Sequence, residues 1–136
     1  MSRVAALLQA RYGQAEAVPG LDLNPVLETL FAHRSVRAFR PDPLPDGTLE
    51  TLIAAAQSAP SSSNLQTWSV IAVQSPAGRA RLAELTGPQP HVAEAPLVLA
   101  WLADLSRISR IAERRGETAA GLDYLDTFLM AVIDAA

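Results

Sequence analysis

The sequence predicts a layered fold of helices and buried strands, of the α/β or α+β class. Two near-continuous apolar runs, residues 68–74 and 96–104, have the length and the branched and aromatic side chains of buried strands. Segments whose apolar residues recur at helical spacing lie before, between and after these runs. With 136 residues, 49% of them hydrophobic and 18% charged, the chain suits one globular domain with a real core.

Composition and charge exclude several classes of protein. The formal net charge of −3 argues against a general nucleic-acid binder, and no segment reaches the roughly 20 apolar residues needed to cross a bilayer. The chain has no cysteine, and its two histidines, His33 and His91, lie far apart without an HExxH motif, which argues against a metal site. We therefore expect a soluble protein, and the absence of disulfides fits a cytoplasmic location.

The first half of the chain predicts three helices. Residues 3–12 have helical spacing and stop at Gly13, and residues 14–23 read as a linker. Asn24 as N-cap and Pro25 at the first helical position open a second helix, which ends around HRSVR. After a proline-rich turn, a third helix is capped by Asp46 or Thr48 and is ended by Pro60.

The second half alternates strands with helices. Between the two predicted strands, Ser75-Pro76 opens a helix that ends at Gly87. The second strand, residues 96–104, is apolar enough to be covered on both faces. A polar helix through Ser109 to Arg115 and a longer helix from near Gly121 follow it.

The last helix is unusual because its apolar pattern is still running at Ala136. No Gly follows it, no basic residue sits in its last turn, and Asp134 opposes the helix macrodipole there. These features predict a chain that stops inside a core helix, as a shortened product or the ordered part of a larger protein would. The exposed inner face of that helix would be a large apolar patch prone to association.

A basic cluster follows the second helix. HRSVRAFR contains His33, Arg34, Ser35, Arg37 and Arg40, and guanidinium groups bind phosphate bidentately. Basic side chains at a helix C-terminus also complement the macrodipole, so the cluster alone leaves both interpretations open.

A polar run lies between the third helix and the first strand. Ser61, Ser62, Ser63, Asn64 and Gln66 offer donors and acceptors suited to a polar heterocycle, and a solvated connection is the alternative. Both this run and the basic cluster lie between a helix and an extended segment, where α/β folds commonly bind ligands.

The remaining motif is Gln89, held between two prolines that fix the backbone around its amide. A stiff surface turn explains the same pattern. The chain contains no GxGxxG, Walker or GxSxG motif and no persuasive nucleophile with its base. If the protein is an enzyme, a cofactor carries the chemistry.

Three motifs in order resemble the beginning of the nitroreductase family of flavin enzymes. They are HRSVRAF, then PDPLPDGTLETLIAAAQSAPSSSNLQTWSVIAV, then TGPQPHVAEAP. The resemblance is closer to the branch of NADPH-dependent nitroreductases and flavin reductases. It runs from about Asn24 to the end, so that residues 1–23 would be a helical extension with its linker, and residues 24–136 the N-terminal part of an FMN-binding domain.

The resemblance implies an α+β, three-layer fold with a mixed or antiparallel central sheet flanked by helices. It also implies a homodimer with two FMN molecules at the subunit interface and no nucleic-acid or membrane partner. His33, Arg34, Ser35 and Arg37 would hold the FMN phosphate and ribityl chain. The flavin would be lined from the other subunit by a second set of residues, Ser61, Ser63, Asn64 and Gln66, and Gln89 would hydrogen-bond the polar edge of its ring.

The implied activity is ping-pong electron transfer without a catalytic side chain. NADPH or NADH would give hydride to flavin N5, and a nitroaromatic, a quinone or a free flavin would then accept the electrons. Family chains are much longer, and the segments that complete the flavin pocket, the sheet and the NADPH site are absent from these 136 residues. Two alternatives therefore stay open: a non-catalytic FMN- or phosphate-binding half-domain that needs a partner chain, and a helical interaction module.

Overall fold

The computed structural model describes residues 3–13 and 23–136, which form two compact units, Met1–Arg37 and Ala38–Ala136. In the first unit, α1 is Arg3–Tyr12 and α2 is Pro25–Ala32. The second unit contains, in chain order, α3 (Thr48–Gln57), a 3₁₀ turn (Ser62–Asn64), β1 (Trp68–Val73), α4 (Pro76–Leu85), α5 (Pro90–Glu94), β2 (Val98–Ala103), α6 (Ser106–Arg114), a second 3₁₀ turn (Ala120–Asp123) and α7 (Leu125–Ala135).

The first unit follows the sequence closely. Gly13, with φ of 74°, takes the left-handed conformation that ends α1. The Asn24 side chain accepts a hydrogen bond of 3.0 Å from the Leu27 amide, as expected of an N-cap. Helix α2 ends at Ala32, so the whole basic cluster lies beyond it. Residues 14–22 of the predicted linker lie outside the described residues.

The two strands pair with each other in an antiparallel ladder. The register runs from Trp68 opposite Ala103 to Val73 opposite Val98. On one face the rings of Trp68 and Trp101 pack with centroids 5.3 Å apart and an interplanar angle of 53°. The paired strands are antiparallel and helices lie before, between and after them along the chain, so the structure is of the α+β class and that prediction is confirmed.

The expectation that β2 is covered on both faces is wrong for the part of the chain that the structure describes. Both strands are half-buried: Ile71 in β1 is 54% exposed and Leu102 in β2 is 42% exposed. Apolar composition predicted the strands correctly but did not reveal which faces are covered, because covering depends on elements distant in sequence.

Helix α7 packs on the sheet and contacts both strands. Ala131 is fully buried and Thr127 is 6% exposed, and the Thr127 hydroxyl donates to the Gly121 carbonyl at 2.7 Å. The opposite side is apolar and exposed; we call it the α7 outer face, and it consists of Leu125, Phe128, Leu129, Val132 and Ile133. This exposure agrees with the patch expected from the sequence.

Three predictions about helix ends need correction. Neither Asp46 nor Thr48 caps α3: Gly47, with φ of 78°, takes the N-cap position, and the Thr48 hydroxyl donates to the Pro45 carbonyl instead. Helix α6 begins three residues before the predicted Ser109, because the Asp104 carboxylate accepts from the Ser106 amide. Helix α7 begins at Leu125, since a 3₁₀ turn occupies the residues before it.

No helix within residues 3–13 and 23–136 is long and apolar enough to span a membrane.

Candidate functional site

The basic cluster, residues 33–40, is exposed, has no regular secondary structure and follows α2 immediately. One guanidinium nitrogen of Arg34 donates to the carbonyls of Phe31 at 3.1 Å and His33 at 2.8 Å. Arg34 therefore does complement the end of the helix, the alternative that the sequence left open. Three further N–H groups of this guanidinium remain for a ligand.

The side chains of His33, Ser35 and Arg37 are the free ones in the cluster. All three are exposed, and none makes a side-chain hydrogen bond or an ion pair within the described ranges. Arg11 on α1 donates to the His33 carbonyl at 2.7 Å and lines one shallow hollow with the residues that begin the cluster. Sequence reasoning missed this arginine, because only its position on the outside of a helix was visible.

The polar run forms a bent segment, residues 61–66, which we call the serine loop. Ser63, Asn64 and Gln66 have φ of 50°, 54° and 51°, in the left-handed region. Asparagine tolerates this region, but serine and glutamine enter it at a cost on the order of 1–2 kcal/mol each. A loop with three such residues needs strong interactions elsewhere to hold its shape.

The first of these interactions comes from Asp134 near the end of α7. Its Oδ2 accepts from the Ser62 amide at 2.9 Å and the Ser61 hydroxyl at 3.0 Å, and its Oδ1 accepts from the Ser62 hydroxyl at 2.8 Å. The Ser62 hydroxyl is the main cause that lowers the pKa of this carboxyl, against a smaller opposing effect of burial. The Ser61 hydroxyl oxygen in turn accepts from the backbone N–H of Gln66 at 2.8 Å.

The second anchor lies at the start of α6 and holds the end of the loop. Arg107 donates to the Gln66 carbonyl, and the Asp104 amide donates to the carbonyl of the buried Thr67 at 2.9 Å. The Asp104 carboxylate accepts from the hydroxyls of Ser106 and Ser69. These hydrogen bonds, with Ser106 first, lower the pKa of Asp104 from 3.8 to about 2.

A stability prediction follows from Asp104. A depressed pKa means that the unfolded chain binds the proton more tightly, so the stabilisation is full above pH 3.8 and is lost as the pH falls to about 2. In urea titrations, the free energy of unfolding of the wild type should fall between pH 5 and pH 2, and we expect this fall to be smaller in Asp104→Asn. Asp123→Asn is the control, since Asp123 has no side-chain partner among the described residues. Equal slopes for wild type and Asp104→Asn would contradict the prediction.

The loop presents its remaining polar groups outwards. Ser63, Asn64 and Gln66 are exposed, and the side-chain Nε2 of Gln66 donates to Asn64 Oδ1 at 3.3 Å. A cleft of about 250 Å³ beside them is lined by Gln57, Ala59, Pro60, Ser61, Asn64, Gln66 and Trp68. Whole small-molecule pockets span roughly 300–1,000 Å³. The cleft therefore has room for part of a ligand, and its lining includes side-chain amides and an aromatic ring.

Gln89 lies elsewhere in the second unit. It occupies the N-cap position of α5, and its Nε2 donates to the Thr86 carbonyl at 3.0 Å. Its side-chain oxygen accepts no hydrogen bond from the described residues. It borders an apolar hollow between α4 and α5. No hydrogen bond joins it to the serine loop in the part of the chain that the structure describes. The structure thus brings Ser61, Ser63, Asn64 and Gln66 together and leaves Gln89 apart.

Comparison with known proteins places these features in a family. Residues 30–125, more than half of the chain, match the model of the nitroreductase family. The chain is 36% identical over 115 residues to an FMN reductase (NADPH) of Bacillus subtilis, covering 84% of this chain and 46% of that protein. It is 39% identical over 114 residues to an oxygen-insensitive NADPH nitroreductase of Salmonella typhimurium, covering 84% of this chain and 45% of that protein.

The fold agrees with the sequence match. The solved structure of NfrA2 from B. megaterium superposes with a TM-score of 0.79 at 35% identity, covering 83% of this chain and 46% of that chain. The chain therefore spans just under half the length of these relatives. The matched segment includes the basic cluster from His33, the serine loop, both strands and Gln89. On the evidence of the family model and the shared fold, the chain belongs to the nitroreductase family.

Proposed function

We propose that this chain binds FMN and serves an oxidoreductase that moves electrons from NADPH or NADH to a small acceptor. The observation that carries the proposal is the serine loop, which is held by two anchors while the side chains of Ser63, Asn64 and Gln66 stay exposed. The names of its relatives, an FMN reductase and an NADPH nitroreductase, support the same chemistry.

The basic cluster fits the phosphate of FMN. A phosphate needs charge-assisted donors, and Arg37 offers a whole guanidinium group that is not used within the described structure. Arg34 retains unused N–H donors in addition to those that bind the carbonyls of Phe31 and His33 at the end of α2. We propose that these two arginines bind the phosphate, with His33 and the Ser35 hydroxyl beside the ribityl chain.

The serine loop fits the edge of a flavin ring. A flavin edge carries carbonyl oxygens and ring nitrogens, which match the donors and acceptors of the Asn64 and Gln66 amides. Trp68 provides an apolar wall in the same cleft. Ser63 is free to contact the ligand, whereas the Ser61 hydroxyl is already engaged with Asp134 and the Gln66 amide. Ser61 would therefore support the loop more than it bonds the ring.

The protein would contribute binding and orientation to the reaction. When bound, FMN would supply the redox chemistry, by ping-pong hydride transfer from NAD(P)H and delivery of electrons to nitroaromatics, quinones or free flavins. The amides beside the cleft would orient the ring and tune its potential through hydrogen bonds, and the free oxygen of Gln89 would accept from a polar edge. No side chain of this chain is assigned as a catalytic acid or base.

We propose that the protein acts as a homodimer in the cytoplasm and that the α7 outer face lies in the dimer interface. Five large apolar side chains on one side of one helix form a surface of the kind that subunits bury. The family resemblance supports a second copy of the chain as the partner.

An FMN titration tests the proposed cofactor. Quenching of flavin fluorescence by the purified chain should saturate, and Arg37→Ala should weaken binding by about tenfold or more, since one charge-assisted hydrogen bond contributes about 1.5–3 kcal/mol. Arg81→Ala is the matched control: it removes the same charge from an exposed ion pair with Glu84 on α4, and the affinity should not change.

The outcomes separate the candidate functions. A flat titration, or equal weakening by both variants, would contradict specific FMN binding. Saturable binding with consumption of NADPH in the presence of a quinone would support the oxidoreductase. Saturable binding without NADPH consumption would favour the second candidate, a non-catalytic FMN-binding half-domain that needs a partner chain.

A further inference from the structure

We propose that Asp134 is a positioning residue that holds the serine loop in its ligand-presenting conformation. Asp134 is 72 residues from Ser62 in sequence, and it is not among the residues that line the cleft. The inference rests on the proposed function in one respect: the ligand that the loop presents its amides to is taken to be FMN.

The carboxylate is matched to the loop at both of its oxygens. Three donors converge on it at 2.8–3.0 Å: the amide and the hydroxyl of Ser62, and the hydroxyl of Ser61. A carboxylate accepts at several positions and donates at none, so it satisfies all three donors together. An asparagine side chain has one acceptor oxygen and would present its NH₂ group to at least one donor.

Ser61 connects the beginning of the serine loop, which Asp134 binds, to the end of the loop at Gln66. Because the Ser61 proton is donated to Asp134, the Ser61 oxygen turns a lone pair towards the Gln66 amide, which donates to it at 2.8 Å. This relay closes the loop across the residues with positive φ. Without it, serine and glutamine would leave the left-handed region for conformations that they prefer.

The position of Asp134 within its own helix supports the same assignment. A negative charge in the last turn of α7 opposes the helix macrodipole, and the helix offers it no basic partner. The unfavourable placement is explained by the donors of the serine loop. The feature that seemed anomalous in the sequence is thus accounted for by contacts outside the helix.

The test measures the loop and the ligand separately. Asp134→Asn is compared with Asp123→Asn, which makes the same change of charge at an exposed residue just before α7. In the chain without FMN, Asp134→Asn should speed amide hydrogen exchange at Ser62 and Gln66 by about tenfold or more. Exchange in the β1–β2 ladder should stay within twofold of wild type. FMN affinity should fall by about tenfold, and the control should change neither quantity.

A second variant covers the case in which Asp134→Asn does not fold. Ser61→Ala removes the acceptor of the Gln66 backbone N–H but keeps the Asp134 carboxylate. Hydrogen exchange should therefore rise at the backbone amide of Gln66 while the backbone amide of Ser62 stays protected. Equal exchange at Gln66 in wild type and Ser61→Ala would overturn the relay.

Each result decides one of the two claims. Unchanged exchange at Ser62 and Gln66 in Asp134→Asn, or an increase spread across β1 and α7, would overturn the positioning role. A loosened loop with unaltered FMN affinity would also overturn it. If wild type itself fails to bind FMN while the loop amides respond as expected, the anchoring by Asp134 is supported and the proposed function fails.

Discussion

Ala131→Asp is expected to destabilise the second unit by about 3 kcal/mol or more, the largest effect among the substitutions considered. Ala131 is fully buried where α7 meets the strands, so the new carboxylate would lose its hydration without gaining a partner. Since the free energy of unfolding of a small domain is only about 5–15 kcal/mol, much of the variant would be unfolded at modest urea concentrations. Urea titration followed by circular dichroism at 222 nm measures the effect.

Ala54→Asp on α3 is the control for this substitution. It makes the same change of residue at an exposed helical position outside the α7 outer face, so the charge can stay hydrated. We expect a change of less than about 1 kcal/mol, as is usual for exposed positions. Equal urea midpoints for Ala131→Asp and Ala54→Asp would show that the sheet does not cover α7 as described.

Leu129→Glu is expected to weaken self-association by about 100-fold. Leu129 lies in the middle of the α7 outer face and is 51% exposed. In an interface with twofold symmetry each residue is buried twice, so the loss of about 1.5 kcal/mol of apolar burial per side chain gives about 3 kcal/mol per dimer. Sedimentation equilibrium over a range of protein concentrations measures the dissociation constant.

The matched control is Leu85→Glu on α4. Leu85 is 67% exposed and lies outside the α7 outer face, so the same change of residue should leave the dissociation constant within twofold of wild type. A wild-type chain that is monomeric at every concentration would sink the dimer proposal. So would a Leu129→Glu variant that associates as tightly as wild type.

Local features of the fold were predictable from the sequence. Asn24, Ser75 and Gly13 act on backbone groups only a few residues away, and all three cap or end the helices as expected. Apolar runs of branched residues likewise identified both strands. Gly47 escaped prediction because two better capping types, Asp46 and Thr48, flank it, and the Thr48 hydroxyl donates to the Pro45 carbonyl instead of capping the helix.

The supports of the site could not be predicted in the same way. Asp134 and Arg107 act on the serine loop across 72 and 41 residues, and no spacing rule links partners so far apart. Arg34 illustrates the opposite problem: its helix-capping contacts and a phosphate-binding role are compatible, so composition could not choose between them. The residues that would bind FMN remain predictions, whereas the family and the α+β fold are confirmed.

The long-range anchor of the serine loop has a consequence for the order in which the molecule folds. Contacts between residues far apart in sequence close large loops and form slowly, whereas helices form from neighbours within about a microsecond. The carboxylate of Asp134 can reach Ser61 and Ser62 only after α7 has docked on the paired strands. We therefore expect the serine loop to reach its anchored conformation late in folding, after α7 has packed on the strands. If the chain binds FMN as proposed, the exposed side chains of the serine loop would be in place for the ligand only after this late step.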